Sequence, residues 1–407
     1  MKKTHSDKSV PLTSDDYEAW FNQANTLDDS GRYEEAIECF EKALQIKPDY
    51  HLAWNNRGIA LRKLGRFGDA IESYEKALQI KPDYLLAWNN RGTLLGKLGR
   101  FSEAIESFDQ VLQIKPDRLD AWSNRGAALF KLGRFSEAVE SFDKVLQVKP
   151  DSHDIWYKRG YALFKSGNFE EAIKSYEKVL QIQPDYYLAW YNRGNACFSL
   201  GNTKDAIGNY DKALQIKPDY YDAWNNRGLA LFKSGQHEDA IKSYDKALQI
   251  KPDLYDVWNN RGYILKRLGC SKEAIESYEK ALQVKSDYHD AWYNRGNAFL
   301  GLGDCKKAIE SYKMALQVNP DSHDAWNNRG IALDDLMYYE KAIESYERAL
   351  QVKQNYHLAW NNRGIALKNL GRLGEALASF GRALEIKADY SLAQDNRRAV
   401  VEMLGGK

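Results

Sequence analysis

Eleven asparagines fall on one 34-residue ladder: Asn22, Asn56, Asn90, Asn124, Asn192, Asn226, Asn260, Asn294, Asn328, Asn362 and Asn396, broken only by Lys158. A primary amide carries two donors and an acceptor, so it can pair with both the N–H and the C=O of an extended peptide. Amides at a fixed spacing would hold a backbone while ignoring its side chains. Aromatic residues accompany them in the same period. Phe130, Phe164, Phe198 and Phe232 form one series, Tyr157, Tyr191 and Tyr293 a second, and Tyr161 and Tyr263 a third. A contiguous aromatic stripe marks a protein-binding surface. Lys63, Lys97, Lys131, Lys165 and Lys233 add a basic edge beside it.

Other chemistries find no support. Ser-x-x-Lys, a nucleophile motif elsewhere, recurs here once per period, as at Ser73–Lys76 and Ser243–Lys246, on a polar helix face. His51, His153, His289, His323 and His357 share one position in the period. Neighbouring helices about 8–10 Å apart cannot bring them within the roughly 2 Å of a zinc bond. Gly301-Leu302-Gly303 lacks the third glycine and the preceding strand of a dinucleotide site. We therefore expect no catalytic residue, no cofactor, no metal and no small-molecule substrate. With 58 basic and 57 acidic residues the chain has no global pull toward nucleic acid or membrane, and a nucleic-acid interface is disfavoured. Cys39, Cys197, Cys270 and Cys305 form no CxxC pair, which suits unpaired thiols in a reducing compartment. The N-terminus has no apolar signal region and no 18-residue apolar stretch follows, so a cytoplasmic protein is expected. Self-association stays open.

The elements that position these residues are set by tryptophan. All eleven, from Trp20 to Trp360, stand 34 residues apart, and Gln394 occupies the next rung. A strict period of this length marks stacked repeats, each packing on its neighbours. With Trp as position 4, the amides are position 6, the phenylalanines position 12, and the tyrosines positions 5 and 9. Residues 51–84 show the pattern. One helical segment ends near Gly65, a left-handed residue past a helix C-terminus. A second carries Ala70, Ile71, Tyr74, Ala77 and Leu78 on one apolar face. Pro82 then stops it, and Asp83 is placed to cap the next helix. Eight of nine prolines hold this position. At about 100° per residue, positions 2, 5, 6, 9, 12 and 13 share one face of the first helix, and positions 3, 4, 7, 10, 11 and 14 the other. The apolar second face should be buried, with Trp a buried row on which each repeat packs.

Trp at 4, Gly at 8, Ala at 20, Tyr or Phe at 24, Ala at 27 and Pro at 32 resemble the tetratricopeptide repeat. The resemblance implies an all-α, right-handed α-solenoid of antiparallel helix pairs, whose first helices line a concave groove. The expected organisation is a mobile N-terminal tail (1–16), eleven repeats (17–390) and a C-terminal capping helix with a short tail (391–407). The groove would bind extended peptide or protein segments through Asn56, Asn90, Asn124, Asn192, Asn226, Asn260, Asn294, Asn328 and Asn362, with Phe130, Phe164, Phe198, Phe232, Tyr157, Tyr161 and Tyr191. A similar Asn ladder holds substrates in the repeat region of O-linked N-acetylglucosamine transferases. The alternative is therefore a substrate-presenting part of such an assembly, with catalysis on another chain. The carboxylate clamp of chaperone-binding relatives needs Lys at position 5, where this chain has Asn or Tyr, so it is disfavoured.

Two irregularities stand out. Position 7, inside the apolar face, is Arg from Arg57 to Arg397. A buried guanidinium must be paired; the Trp three residues before it and the acid at position 25 of a neighbouring second helix are the candidates, and Lys313 and Gly381 interrupt the acids. In repeat ten, Met337 replaces the Gly that ends the first helix, so residues 334–356 should be locally softer.

Overall fold

The computed structural model describes residues 16–405. The tail prediction for residues 1–16 thus lies outside the described residues except for Asp16, whose carboxylate caps the first helix by accepting from Glu18 N and Ala19 N at 3.0 and 3.1 Å. The described chain holds twenty-three helices and no strand. It is an all-α solenoid of helix pairs. In repeat two the pair is His51–Lys63 and Phe67–Ile80. The same offsets recur from Tyr17–Asp29 with Tyr33–Ile46 to His357–Asn369 with Leu373–Ile386, and Ser391–Gly405 stands alone after them. The chain divides into two compact units, Met1–Leu200 and Gly201–Lys407. No described helix is long and apolar enough to cross a membrane.

Within each pair the contact is made by small residues facing one ring. In repeat seven a Cβ on Gly228 would sit 2.7 Å from Tyr244 Cε1, and Tyr244 is buried. Ala240 and Ala247, also fully buried, let the second helix approach. First helices end on glycines with φ near +80°, Gly65 among them. Met337 adopts φ +60° and keeps the same turn, with Tyr338 N–H donating to Leu333 C=O at 2.9 Å. A side chain in that conformation costs about 1–2 kcal/mol, and Met337 projects into solvent.

Two expectations need correction. Asp83 does not cap the following helix: the cap residue is Tyr84, without a side-chain bond. And the tryptophans are only half-buried. From Trp54 to Trp360 one edge of the indole stays at the surface because its Nε1 donates to the carbonyl six residues back, as from Trp88 to Pro82 at 2.8 Å. Where that residue is not proline the bond survives, from Trp292 to Ser286 and from Trp360 to Gln354, both 2.9 Å. Gln394 reproduces it through Nε2 to Ala388 at 2.8 Å, so the substitution that ends the Trp series keeps its hydrogen bond.

Candidate peptide-binding face

The two sides of each first helix perform different work. On the Trp side, the arginines are partnered in a repeating column. Arg227 Nε donates to Asp211 at 2.6 Å, its Nη1 to Ser243 at 2.7 Å, and its Cζ lies 5.7 Å from the centre of the Trp224 ring. Ser243, wholly buried, passes its own hydroxyl proton to the Asp239 carbonyl at 2.9 Å. The same carboxylate, serine and indole surround Arg57, Arg91, Arg125, Arg159, Arg261, Arg295 and Arg363. The guanidinium fork fits this arrangement because its five donors point in fixed directions. The acid and the indole were expected; the position-23 serine was not. Its signal was a Ser on an otherwise apolar helix face, sixteen residues after each arginine from Arg57 to Arg363 except Arg193, where Asn209 stands.

On the opposite side, most of the predicted amides bond to side chains at positions 5 and 9, chiefly asparagines such as Asn55, Asn327 and Asn361. Asn396 Nδ2 donates to Asn361 at 3.1 Å, Asn361 to Asn362 at 3.4 Å, Asn362 to Asn327 at 3.1 Å, Asn327 to Asn328 at 3.1 Å and Asn328 to Asn297 at 2.9 Å. In the first unit, Asn90 donates to Asn55, Asn55 to Asn56, and Asn56 to Asn25. Asn192 donates to the Tyr157 hydroxyl at 2.9 Å and Asn294 to Asn259 at 3.0 Å, while Asn226 accepts from Asn225. Each relay bond joins first helices of adjacent repeats or hands on to the next. Asn124 and Asn260 stand outside the relay. The buried Oδ1 atoms of Asn89 and Asn225, which those two would otherwise reach, have no partner among the described residues. Asn124 is exposed to solvent, whereas Asn260 is half-buried.

The aromatics gather into half-buried clusters instead of a free stripe. Phe130 packs on Phe135 (5.4 Å) and on Tyr161 of the next repeat (5.2 Å); Tyr161 stacks on Tyr157 at 6.4 Å; Tyr157 meets Tyr186 edge-on. Burial pushes the Tyr157 hydroxyl well above its ordinary pKa. Phe164 packs on Phe169, and Phe232 on His237 and Tyr263. Phe198 and Tyr191 are likewise half-buried. A position-12 ring reaches both its own second helix and the next first helix, which is why it cannot stand free.

In repeat three that ring is missing. Gly96 holds the position, and a cavity of about 250 Å³ opens beside it, lined by Phe101, Phe108, Ala127 and Ala128, with Asn124, Lys97 and Lys131 at its edge. Neither lysine forms an ion pair among the described residues, unlike Lys63, which pairs with Asp28 at 2.8 Å. Here a ladder amide without a partner among the described residues, Asn124, adjoins a cavity on this face.

Models of the tetratricopeptide repeat match residues 14–84, 86–118, 119–152, 221–254, 243–276, 289–322, 323–356 and 357–390, and TPR-repeat models match 160–201, 194–235 and 272–303. The chain is a tetratricopeptide repeat protein. Similar solved structures include YrrB, described as a TPR protein with an unusual peptide-binding site, at 22% identity over 46% of this chain and 97% of that one, TM-score 0.42. MamA shares 27% identity over 40% and 96%, TM-score 0.39. A repeat protein from Parabacteroides merdae shares 20% over 61% and 98%, TM-score 0.43. No curated protein matches the chain.

For this tetratricopeptide repeat protein, Asn124 and Phe130 fall beside the cavity's own repeat boundary, and Tyr161 and Tyr157 extend the surface from Phe130. The other predicted asparagines are spread along the first helices of both units. Gly96, Lys97 and Lys131 complete the candidate site. Gly96 was the one that sequence reasoning passed over, although it is the glycine of position 12 where four later repeats carry Phe.

Proposed function

We propose that this chain is a non-catalytic scaffold that holds an extended segment of a partner protein on its first-helix face, anchored in the first unit at Gly96. The observation that carries this reading is the 250 Å³ apolar cavity with the exposed Asn124 amide and two unpaired lysines around it. A cavity of that size takes one apolar side chain. Asn124, with both donors and its acceptor available, pairs with the backbone next to that side chain. Lys97 and Lys131 favour an acidic residue on either flank. The relayed asparagines then serve to hold successive first helices in register, and peptide recognition falls to Asn124, an exposed amide that the relay leaves out. A substrate-presenting role beside a glycosyltransferase rests on the whole ladder reading peptide, so it weakens with the relay. Four free cysteines suit a reducing compartment.

Gly96→Phe is the test, because Phe already occupies this position in repeats four to seven and a Cβ at Gly96 meets only Ala104 Cβ, at 3.9 Å. Peptides with an apolar residue flanked by Asp or Glu, selected from an array, should lose roughly tenfold or more in affinity while the melting temperature holds. Unchanged binding to Gly96→Phe would remove the cavity from the mechanism.

A further inference from the structure

The arginine column has one gap at a half-buried position. Nine arginines, from Arg57 to Arg363, take a carboxylate oxygen of the preceding repeat at 2.6–2.9 Å. Arg329 has none among the described residues, because Lys313 stands where that acid belongs. It keeps the remaining contacts of the column, Nη1 donating to Ser345 at 2.9 Å and Cζ lying 5.5 Å from the Trp326 ring. Arg397, opposite Gly381, also lacks the acid but is exposed and solvated. Arg329 is half-buried, and burial lowers its pKa with only Glu344 nearby to raise it. Glu344 forms no ion pair with it among the described residues. The charge is therefore held in place, oriented by a buried serine and an indole, without its counter-ion.

We infer that Arg329, Lys313 and Trp326 form a second binding site, on the Trp side of the helix His323–Asp335, for an aspartate or glutamate side chain of a partner protein. The ligand is a carboxylate because the nine sister sites show what this guanidinium orientation accepts. Around Arg363 the corresponding space, about 470 Å³, is lined by Glu347, Leu350, Gln351, Gln354, Trp360 and Arg382. The incoming carboxylate replaces the role of Glu347, its methylenes rest on the indole, and Lys313 adds a second cation. A partner's acid is thus offered the interaction the chain gives itself elsewhere.

Lys313→Glu restores the pattern of the other repeats, so the variant should fold and melt higher than the parent. In the Gly96→Phe background, which keeps the other face out of the measurement, a fluorescein-labelled Gly-Ser-Glu-Glu-Ser-Gly peptide is followed by polarisation. Expected is binding to the parent that weakens roughly tenfold or more for the Gln-Gln peptide and for Lys313→Glu. Lys306→Glu, an equal charge change at an exposed residue of the same helix, should alter it by no more than about twofold. Equal binding of the Gln-Gln peptide, undiminished binding to Lys313→Glu, or a matching loss in Lys306→Glu would overturn the site. None of these outcomes bears on the Gly96 reading.

Discussion

The same substitution, glycine to alanine, should move stability in opposite directions at two places twenty residues apart in sequence. Gly208 lies inside the helix Thr203–Ile216, and a Cβ there meets nothing within 4 Å. Alanine should stabilise by about 1 kcal/mol through helix propensity alone. Gly228 lies inside Tyr221–Lys233, and its Cβ would fall 2.7, 2.8 and 3.1 Å from three ring atoms of Tyr244. Tyr244 is enclosed and cannot swing away, so the helices must part by several tenths of an ångström. Overpacking of this kind costs about 1–3 kcal/mol, against the same 1 kcal/mol of propensity gained. The net is a loss of up to about 2 kcal/mol, eased by whatever separation the pair allows; repeat one already carries Ala24 opposite Phe40. Urea midpoints of the two variants are the assay, compared with the parent under one condition, because a repeat array need not unfold in a single step. Shifts of the same sign would refute the argument that ring contact, not helix propensity, requires glycine at position 8.

Met337→Gly should stabilise the chain by about 1 kcal/mol, read as a higher urea midpoint, and increase hydrogen-exchange protection over residues 334–356. Arg227→Leu should stay within about 1 kcal/mol of the parent, since apolar replacement removes the desolvation cost with the ion pair; Asp211→Ala, which strands the guanidinium, should cost more in the same melt. Asp334 is held above the usual carboxylate pKa, first by burial and then by Asp335, with Lys368 opposing. A carboxyl whose folded pKa is raised loses stability as pH climbs from its unfolded value through its folded one. Asp334→Asn should therefore melt higher than the parent at neutral pH and equally at pH values below both.

The helix pairs were legible because their signals are local and repeated: Trp, Gly, Ala and Pro at fixed positions leave little freedom. The arginine partners were half legible. Opposite charge at position 25 suggested the acid, but a hydroxyl such as Ser243 reveals itself as a partner only when the second helix is in place. The amide relay was illegible for a related reason. Asn56 looks equally suited to a ligand and to a neighbour, and only the spacing between first helices decides. Tryptophan misled in the other direction: size and periodicity suggested a buried row, while the Nε1 bond to residue 82 and its counterparts keeps one edge at the surface. Gly96 carried no message until Phe130 was seen to fill, one repeat along, the space that Gly96 leaves open.

The recurring bonds join residues at constant separations: six from indole to carbonyl, sixteen in the arginine column, and thirty-five between most relayed amides of neighbouring repeats. Excising or copying one complete 34-residue block presents each remaining donor with an acceptor of the same kind, one block along. The gene can therefore lengthen or shorten its product in whole blocks with few bonds to rebuild. The residues that cannot be moved so freely are the irregular ones, Gly96 and Lys313, which mark particular addresses along an otherwise interchangeable chain.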